Sequence, residues 1–135
     1  MNLEISDKVA LVAASSQSLG KAVAVGFAQE GAKVVICARN KEKLETVKKG
    51  IESQTKSEVL AVRTDLTKKE DIENLVAESI NKFNSIDILV NNAGGPPAGF
   101  FADMTDENWQ KGVDLTLMSS VRLTREVLPY MRKNK

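Results

Sequence analysis

The feature that most constrains the fold is the alternation of short β-branched apolar runs with longer amphipathic stretches. The runs cover residues 9–14, 33–38, 59–63 and 86–91, and each is nearly continuous in apolar residues. A strand with one face in water would alternate apolar and polar residues. Continuous runs read instead as parallel strands buried on both faces. Between them, Leu44, Val47 and Ile51 recur at helical spacing, as do Ile72, Leu75, Val76, Ile80 and Phe83, which places each set on one face of a helix. Thr67 followed by Glu70 predicts a capping box at the start of the second of these helices. A last long helix is predicted over 117–131, with Leu117, Val121, Thr124, Leu128 and Met131 along one face. Pro129 should end or kink it near its final turn. Repeated βα units imply right-handed crossovers, hence an α/β fold: an open parallel sheet with helices on both faces. The Gly-Gly-Pro-Pro-Ala-Gly stretch at 94–99 directly follows the fourth strand, where such a sheet places its ligand crevice.

Composition narrows the chemistry. The 135 residues suit one domain, 1–135, with a real core. There is no His, so there is no Ser-His-Asp triad, no imidazole base and no His-ligated metal. One Cys leaves no intramolecular disulfide and no Cys cluster for zinc. Lys and Arg number 19 against 18 Asp and Glu, and a net charge of +1 argues against a dedicated nucleic-acid binder. No run approaches the roughly 18 apolar residues of a membrane-spanning helix, and residues 1–8 do not read as a targeting segment. A cytoplasmic protein is expected. Cys37, between Ile36 and Ala38, reads as a small buried hydrophobe rather than a reactive thiol.

The first run leads into Ala13-Ala14-Ser15-Ser16-Gln17-Ser18-Leu19-Gly20, with a helix expected to begin near Leu19 or Gly20. A strand, a tight small-residue turn and a helix N-terminus make a natural pyrophosphate site, because free N–H groups and the positive end of the helix dipole face the anion. Small side chains let the backbone approach the phosphates closely. Taken alone, the turn also reads as a polar loop with no ligand, since Gly20 is its single glycine.

Over essentially its whole length the sequence resembles the short-chain dehydrogenase/reductase family. That family's turn is Thr-Gly-x-x-x-Gly-Ile-Gly, and Ala13, Ala14, Ser18, Leu19 and Gly20 stand at the motif positions, so that Ala14 and Ser18 replace the first two glycines. Asn91-Asn92-Ala93-Gly94 matches the family's Asn-Asn-Ala-Gly after the fourth strand. Asp65-Leu66 ends the third strand, where the family has an acidic residue beside the cofactor's adenine. The region of Trp109, Thr116-Leu117 and Arg122-Leu123 is similar to the family's next helices, and the chain most resembles the 3-oxoacyl-[acyl-carrier-protein] reductase-like branch. The resemblance implies a Rossmann-like sheet of order 3-2-1-4 that stops after the fourth βα unit, with the fourth strand at an open edge. It also implies cofactor binding by Ala14, Ser16, Gln17, Ser18, Leu19 and Gly20, by Asp65 and Leu66 at the adenine end, and by Asn92, Ala93 and Gly94 near the ribose. The amides of Asn91 and Asn92 have a structural reading too, tying the fourth strand to its neighbours.

In such folds an acid at the end of the second strand bonds the NAD ribose 2′-hydroxyl, whereas a nearby Arg accommodates the NADP 2′-phosphate. Ala38 takes the acid's place and Arg39 follows it, with Asn40 and Lys41 in the next turn. Preference for NADP(H) is the expectation; the other reading makes Arg39 a solvated loop residue. The implied reaction is hydride transfer between NADP(H) and a small-molecule carbonyl or alcohol. The family's catalytic Tyr and the Lys four residues later have no counterpart here: Tyr130, the one Tyr, is followed four residues on by Asn134. Thr116 stands where the family has a helix Asn. No catalytic residue is assigned, and the chain alone is expected to be inactive. Ser18 in the turn is unfavourable if its φ is positive. Phe100, Phe101 and Met104 read either as contacts for an apolar substrate or as core, and the last helix as an interface between copies or as packing for the sheet. Two alternatives to a dehydrogenase half are a non-catalytic nucleotide-binding or interaction module and a fold remnant that binds nothing.

Overall fold

The computed structural model describes residues 2–134. Four parallel strands form one sheet in the order β3-β2-β1-β4, where β1 is Val9–Val12, β2 Lys33–Ala38, β3 Val59–Arg63 and β4 Ile88–Val90. Helices α1 (Ser18–Gln29), α2 (Lys41–Gln54) and α3 (Lys69–Phe83) are the crossovers between them. After β4 come α4 (Asp106–Val113), a π-helical stretch (Asp114–Met118) and α5 (Ser119–Lys133). The strand order and the α/β architecture are those expected.

Both faces of the sheet are covered, which is why its strands are apolar throughout. On one face Val12, Val34, Ile36 and Val59 meet Ala24 and Ala28 of α1 and Leu44, Val47 and Ile51 of α2. On the other, Leu11, Val35, Cys37 and Val62 meet Ile72, Leu75 and Val76 of α3 and Leu123 and Val127 of α5. Side chains such as Leu11, Ile36 and Ile72 are wholly excluded from water, each worth about 1.5–3 kcal/mol of transfer free energy. Cys37 lies fully buried among them, and desolvation pushes its thiol up to about 11, so it is an inert core residue, as expected.

Several boundaries differ from the sequence expectation, each for a local reason. β1 ends at Val12 rather than residue 14 because Ala14 turns into the left-handed region, φ 47°. β4 is correspondingly short: its register partners Ala10, Leu11 and Val12 are the last that β1 offers. The capping box does not form. Lys68 is the cap residue of α3, and the Thr67 hydroxyl donates to Asp65 Oδ1 at 2.7 Å instead. A short side chain next to a carboxylate finds a closer partner there than the helix offers. The helix predicted over 117–131 is α5, Ser119–Lys133, but its core side is Ser119, Leu123 and Val127, and Leu117, Val121 and Leu128 of the predicted face are exposed. Thr105 caps α4 by accepting from Asn108 N at 3.3 Å, and Asp106 and Glu107 complement its dipole. Its first two turns bury no residue, so they left no apolar signature in the sequence. Pro129 does not end α5, which continues to Lys133.

Candidate functional site

Every residue expected to bind cofactor lies just beyond the C-terminal end of a strand. Because the four strands are parallel, these segments share one edge of the sheet. Residues 14–20 follow β1, Arg39 and Asn40 follow β2, Asp65 and Leu66 follow β3, and residues 92–94 follow β4. From β1 the chain moves outward through β2 and β3, then crosses to the other side for β4. The crevice between β1 and β4 is therefore the switch point at which open α/β sheets take their ligands.

The turn after β1 is held from three sides. Ser15, fully buried, donates its hydroxyl to the Val12 carbonyl at 2.8 Å and accepts from Cys37 N at 3.0 Å. Its own N–H reaches the Cys37 carbonyl at 2.9 Å. Asn92 donates its amide to the carbonyls of Ala13 and Ala14, both at 3.3 Å, clamping the β4 exit to the turn across the switch point. Asn91 donates instead to Thr124 Oγ1 of α5 at 3.0 Å. The structural role expected of both amides is present. Ala14 and Ser18 both adopt φ 47°, a conformation that costs a residue with a side chain about 1–2 kcal/mol. The turn holds this backbone shape without the glycines that would make it easy. Gly20 has no such latitude: a Cβ there would collide with the Ala14 carbonyl oxygen and lie 3.0 Å from Asn92 Nδ2.

This geometry brings the start of α1 to the turn with its donors free. Gln17 at the cap makes no side-chain capping bond, and the first turn carries no acid. Its N–H groups and the positive dipole end therefore lack an internal counter-charge. An anion with several acceptor oxygens fits that deficit, so a dinucleotide pyrophosphate suits the donors present. Gln17, Ser18 and Leu19 are exposed around this point and Ser16 is half-buried. Leu19 is 72% exposed, an apolar side chain on the rim of the crevice.

Around β2 and β3 the edge is polar. Arg39 is exposed and takes part in no ion pair found among the described residues. Asn40 caps α2, its Oδ1 accepting from Lys43 N at 2.9 Å, which leaves the amide N–H groups to face solvent or ligand. Asp65 is half-buried. Its carboxyl is held below the usual carboxylate range, first by the Thr67 hydroxyl bond and further by the Thr67 N–H and by Lys68 and Arg39 nearby. Leu66 turns its side chain into the core with α3. Past β4, residues 91–100 carry no regular structure, and Gly94 is exposed.

A cleft of 390 Å³ opens between this loop and α4, lined among others by Pro96, Phe101, Met104, Trp109 and Thr116. Phe100 and Phe101 are 81% and 82% exposed, so they are not core residues, and the Phe101 ring meets the Trp109 edge with centroids 6.0 Å apart. Thr116 lies in the π-helical stretch and returns its hydroxyl to the Gly112 carbonyl at 2.7 Å. A larger cleft of 470 Å³ sits at the opposite edge, by Ser6, Gly31 and Thr55, away from every strand C-terminus. Sequence reasoning missed Ser15 and Thr67. A run of small polar residues gives no sign of which one is buried, whereas Asp-x-Thr does carry the signal of an Asx turn.

A sequence profile described as short chain dehydrogenase matches residues 8–135. The chain belongs to the short-chain dehydrogenase family. Among curated relatives, the uncharacterized oxidoreductase YvrD of Bacillus subtilis (strain 168) is 39% identical over 132 residues, which are 97% of this chain and 49% of that protein. Among solved structures, L-sorbose reductase from Gluconobacter frateurii, complexed with NADPH and L-sorbose, superposes with a TM-score of 0.95 at 36% identity, over 99% of this chain and 51% of that one. Hydroxysteroid dehydrogenase from Escherichia coli does so with a TM-score of 0.91 at 32% identity, over 96% and 55%. The chain thus spans about half the length of the family members it matches. Among the described residues no helix is long and apolar enough to cross a membrane, and no cluster of acidic or Cys side chains could hold a metal ion.

Proposed function

We propose that this chain is the cofactor-binding portion of an NADP-dependent short-chain oxidoreductase that moves hydride between NADP(H) and a carbonyl or alcohol. The observation that carries the reading is the α1 N-terminus, with no capping side chain and no acid, set beside a β2 that ends at Ala38, with Arg39 directly after it. The first feature attracts a pyrophosphate. The second removes the carboxylate that would repel a 2′-phosphate and supplies an exposed guanidinium to bind it. The NADPH named with L-sorbose reductase, a neighbour of almost the same backbone, supports the choice. When bound, the nicotinamide supplies the hydride. The residues of this chain orient it: Ala14, Ser16, Gln17, Ser18, Leu19 and Gly20 along the pyrophosphate, Arg39 and Asn40 at the 2′-phosphate, Asp65 and Leu66 at the adenine, and Asn92, Ala93 and Gly94 toward the ribose. The place we assign it within the family is the 3-oxoacyl-[acyl-carrier-protein] reductase-like branch, in the cytoplasm, with α5 available for pairing of copies.

Titration with NADPH and NADH at several salt concentrations tests this. NADPH should bind more tightly, with the margin shrinking as salt screens the Arg39 contact. Arg39→Ala should weaken NADPH about tenfold and leave NADH nearly unchanged; equal affinities in the parent chain would overturn the assignment. The chain alone should not reduce carbonyls with NADPH, because Tyr130 packs half-buried against the α3–α5 side of the core and Asn134, not Lys, lies four residues on. A non-catalytic nucleotide-binding module is the second reading. What favours it is Thr116, whose hydroxyl is engaged within its own helix.

A further inference from the structure

The cleft between the loop after β4 and α4 is lined by none of the residues assigned to the cofactor. It begins at Pro96, two residues past Gly94, and so continues from the end of the crevice where the ribose is placed. Its 390 Å³ lies in the range of small-molecule sites, roughly 300–1,000 Å³. Pro96, Phe101, Met104, Trp109 and Val113 supply most of the wall, and no lining side chain is ionisable. The loop sits close on this wall at Gly99, where a Cβ would lie 2.7 Å from Met104 Cε. Two polar side chains also line the cleft. Thr116 spends its one hydroxyl hydrogen on the Gly112 carbonyl. Asn108 is half-buried, and its backbone N–H serves the α4 cap. Among the described residues its side-chain amide has no hydrogen-bond partner.

We infer that this cleft takes the substrate and selects an apolar ketone, or the matching alcohol, over a sugar or other polyol, with Asn108 as the residue that bonds its oxygen. A polyol arrives with several hydroxyls bonded to water. In the cleft the Asn108 amide alone is free to replace those bonds, so most would be lost. An apolar ketone brings one acceptor oxygen, which the amide N–H groups match. Its hydrocarbon body covers Phe101 and Trp109, which stand exposed to water. The Met104 thioether adapts to a ring or a branched chain. A carboxylate or phosphate ester finds no counter-charge on this wall. The L-sorbose named with the structural neighbour at 36% identity therefore belongs to a different class from the ligand that these residues fit. A macromolecular partner suits the concavity less well, since a stable protein interface spreads over about 800 Å² of each partner.

The substrate role rests on the oxidoreductase reading, and separate ligands distinguish the two. Trp109 is the single Trp, so its indole N–H gives one signal in an amide spectrum of the 135-residue chain. The chain is titrated with 1-tetralone (a bicyclic aryl ketone), with tetralin (the same skeleton without the oxygen), with L-sorbose, and separately with NADPH. 1-Tetralone should move the Trp109 signal saturably and bind about tenfold more tightly than L-sorbose, with tetralin about fivefold weaker for want of one hydrogen bond. Asn108→Leu should bring 1-tetralone down to tetralin and leave tetralin unchanged; a merely structural role would weaken both. Val113→Asp, which sets a charge in the wall, should weaken both about tenfold. Val113 is exposed on a helix that buries no residue, so the NADPH shifts at residues 14–20 should persist in that variant. L-sorbose bound as tightly as 1-tetralone, or no Trp109 shift with 1-tetralone, overturns the inference while the NADPH shifts leave the dinucleotide reading standing. A Trp109 signal that moves with protein concentration and not with 1-tetralone places a second copy in the cleft and overturns it too. 1-Tetralone bound at Trp109 with no NADPH shift at residues 14–20 overturns the dinucleotide reading, and the substrate role with it.

Discussion

At the scale of single residues, the turn after β1 holds two residues with side chains in a conformation that glycine adopts more easily. Ala14 and Ser18 occupy left-handed positions, and the strain they carry is offset by the Ser15 and Asn92 bonds that fix the turn. Ser18→Gly should therefore stabilise the chain by about 1 kcal/mol, the cost of a side chain in that region, and raise the midpoint of thermal unfolding by a few degrees. Gly20→Ala should act in the opposite direction. The added methyl meets the Ala14 carbonyl, a backbone atom that cannot swing aside, and overpacking of this kind costs about 1–3 kcal/mol. It would also push the turn away from α1 and weaken NADPH binding. Thermal unfolding of the two variants beside the parent checks both signs. Motif spacing named Gly20 and Asn92 in the sequence, and the fold brings them together, with a Cβ at Gly20 3.0 Å from Asn92 Nδ2. Spacing could not distinguish Ser15 from Ser16, because burial of a hydroxyl depends on β2, 22 residues away.

At the scale of elements, the strands and the helices that pack on the sheet were legible because burial imposes a period. β2 and β3 have the predicted limits, and the buried residues of α2 are those that the three- and four-residue spacing selected. The errors fall on the last helices: α4 buries nothing, and α5 turns Ser119, Leu123 and Val127 to the core, whereas Leu117, Val121 and Leu128 of the face read from the sequence are exposed. The N-terminus of α2 bears on both stability and ligand binding, since Asn40 caps it and is also assigned to the 2′-phosphate. Two replacements separate these roles. Asn40→Ala should cost about 1 kcal/mol of folding stability, as the loss of a cap does. Asn40→Asp should keep the cap and the stability yet weaken NADPH more than NADH, because it restores a carboxylate next to the phosphate. Denaturant unfolding together with the two cofactor titrations checks the pair; an Asn40→Asp chain with an unchanged NADPH preference would remove Asn40 from the phosphate site.

At the scale of the whole molecule, the parallel order β3-β2-β1-β4 collects four loop segments, far apart in sequence, on one edge. We propose that this edge is one dinucleotide site. The resemblance supplied the strand order and the residues, while the bonds that join the segments, such as Asn92 to the β1 turn, exist only in the folded chain. At 14.7 kDa the protein suits residue-by-residue amide spectroscopy, and a titration with NADPH followed by amide chemical shifts tests the claim most directly. Saturable shifts are expected at Ala14 to Gly20, Arg39 and Asn40, Asp65 and Leu66, and Asn92 to Gly94, with residues by the opposite cleft, such as Ser6 and Gly31, unmoved. Shifts confined to that opposite cleft, or none at the turn after β1, would contradict it.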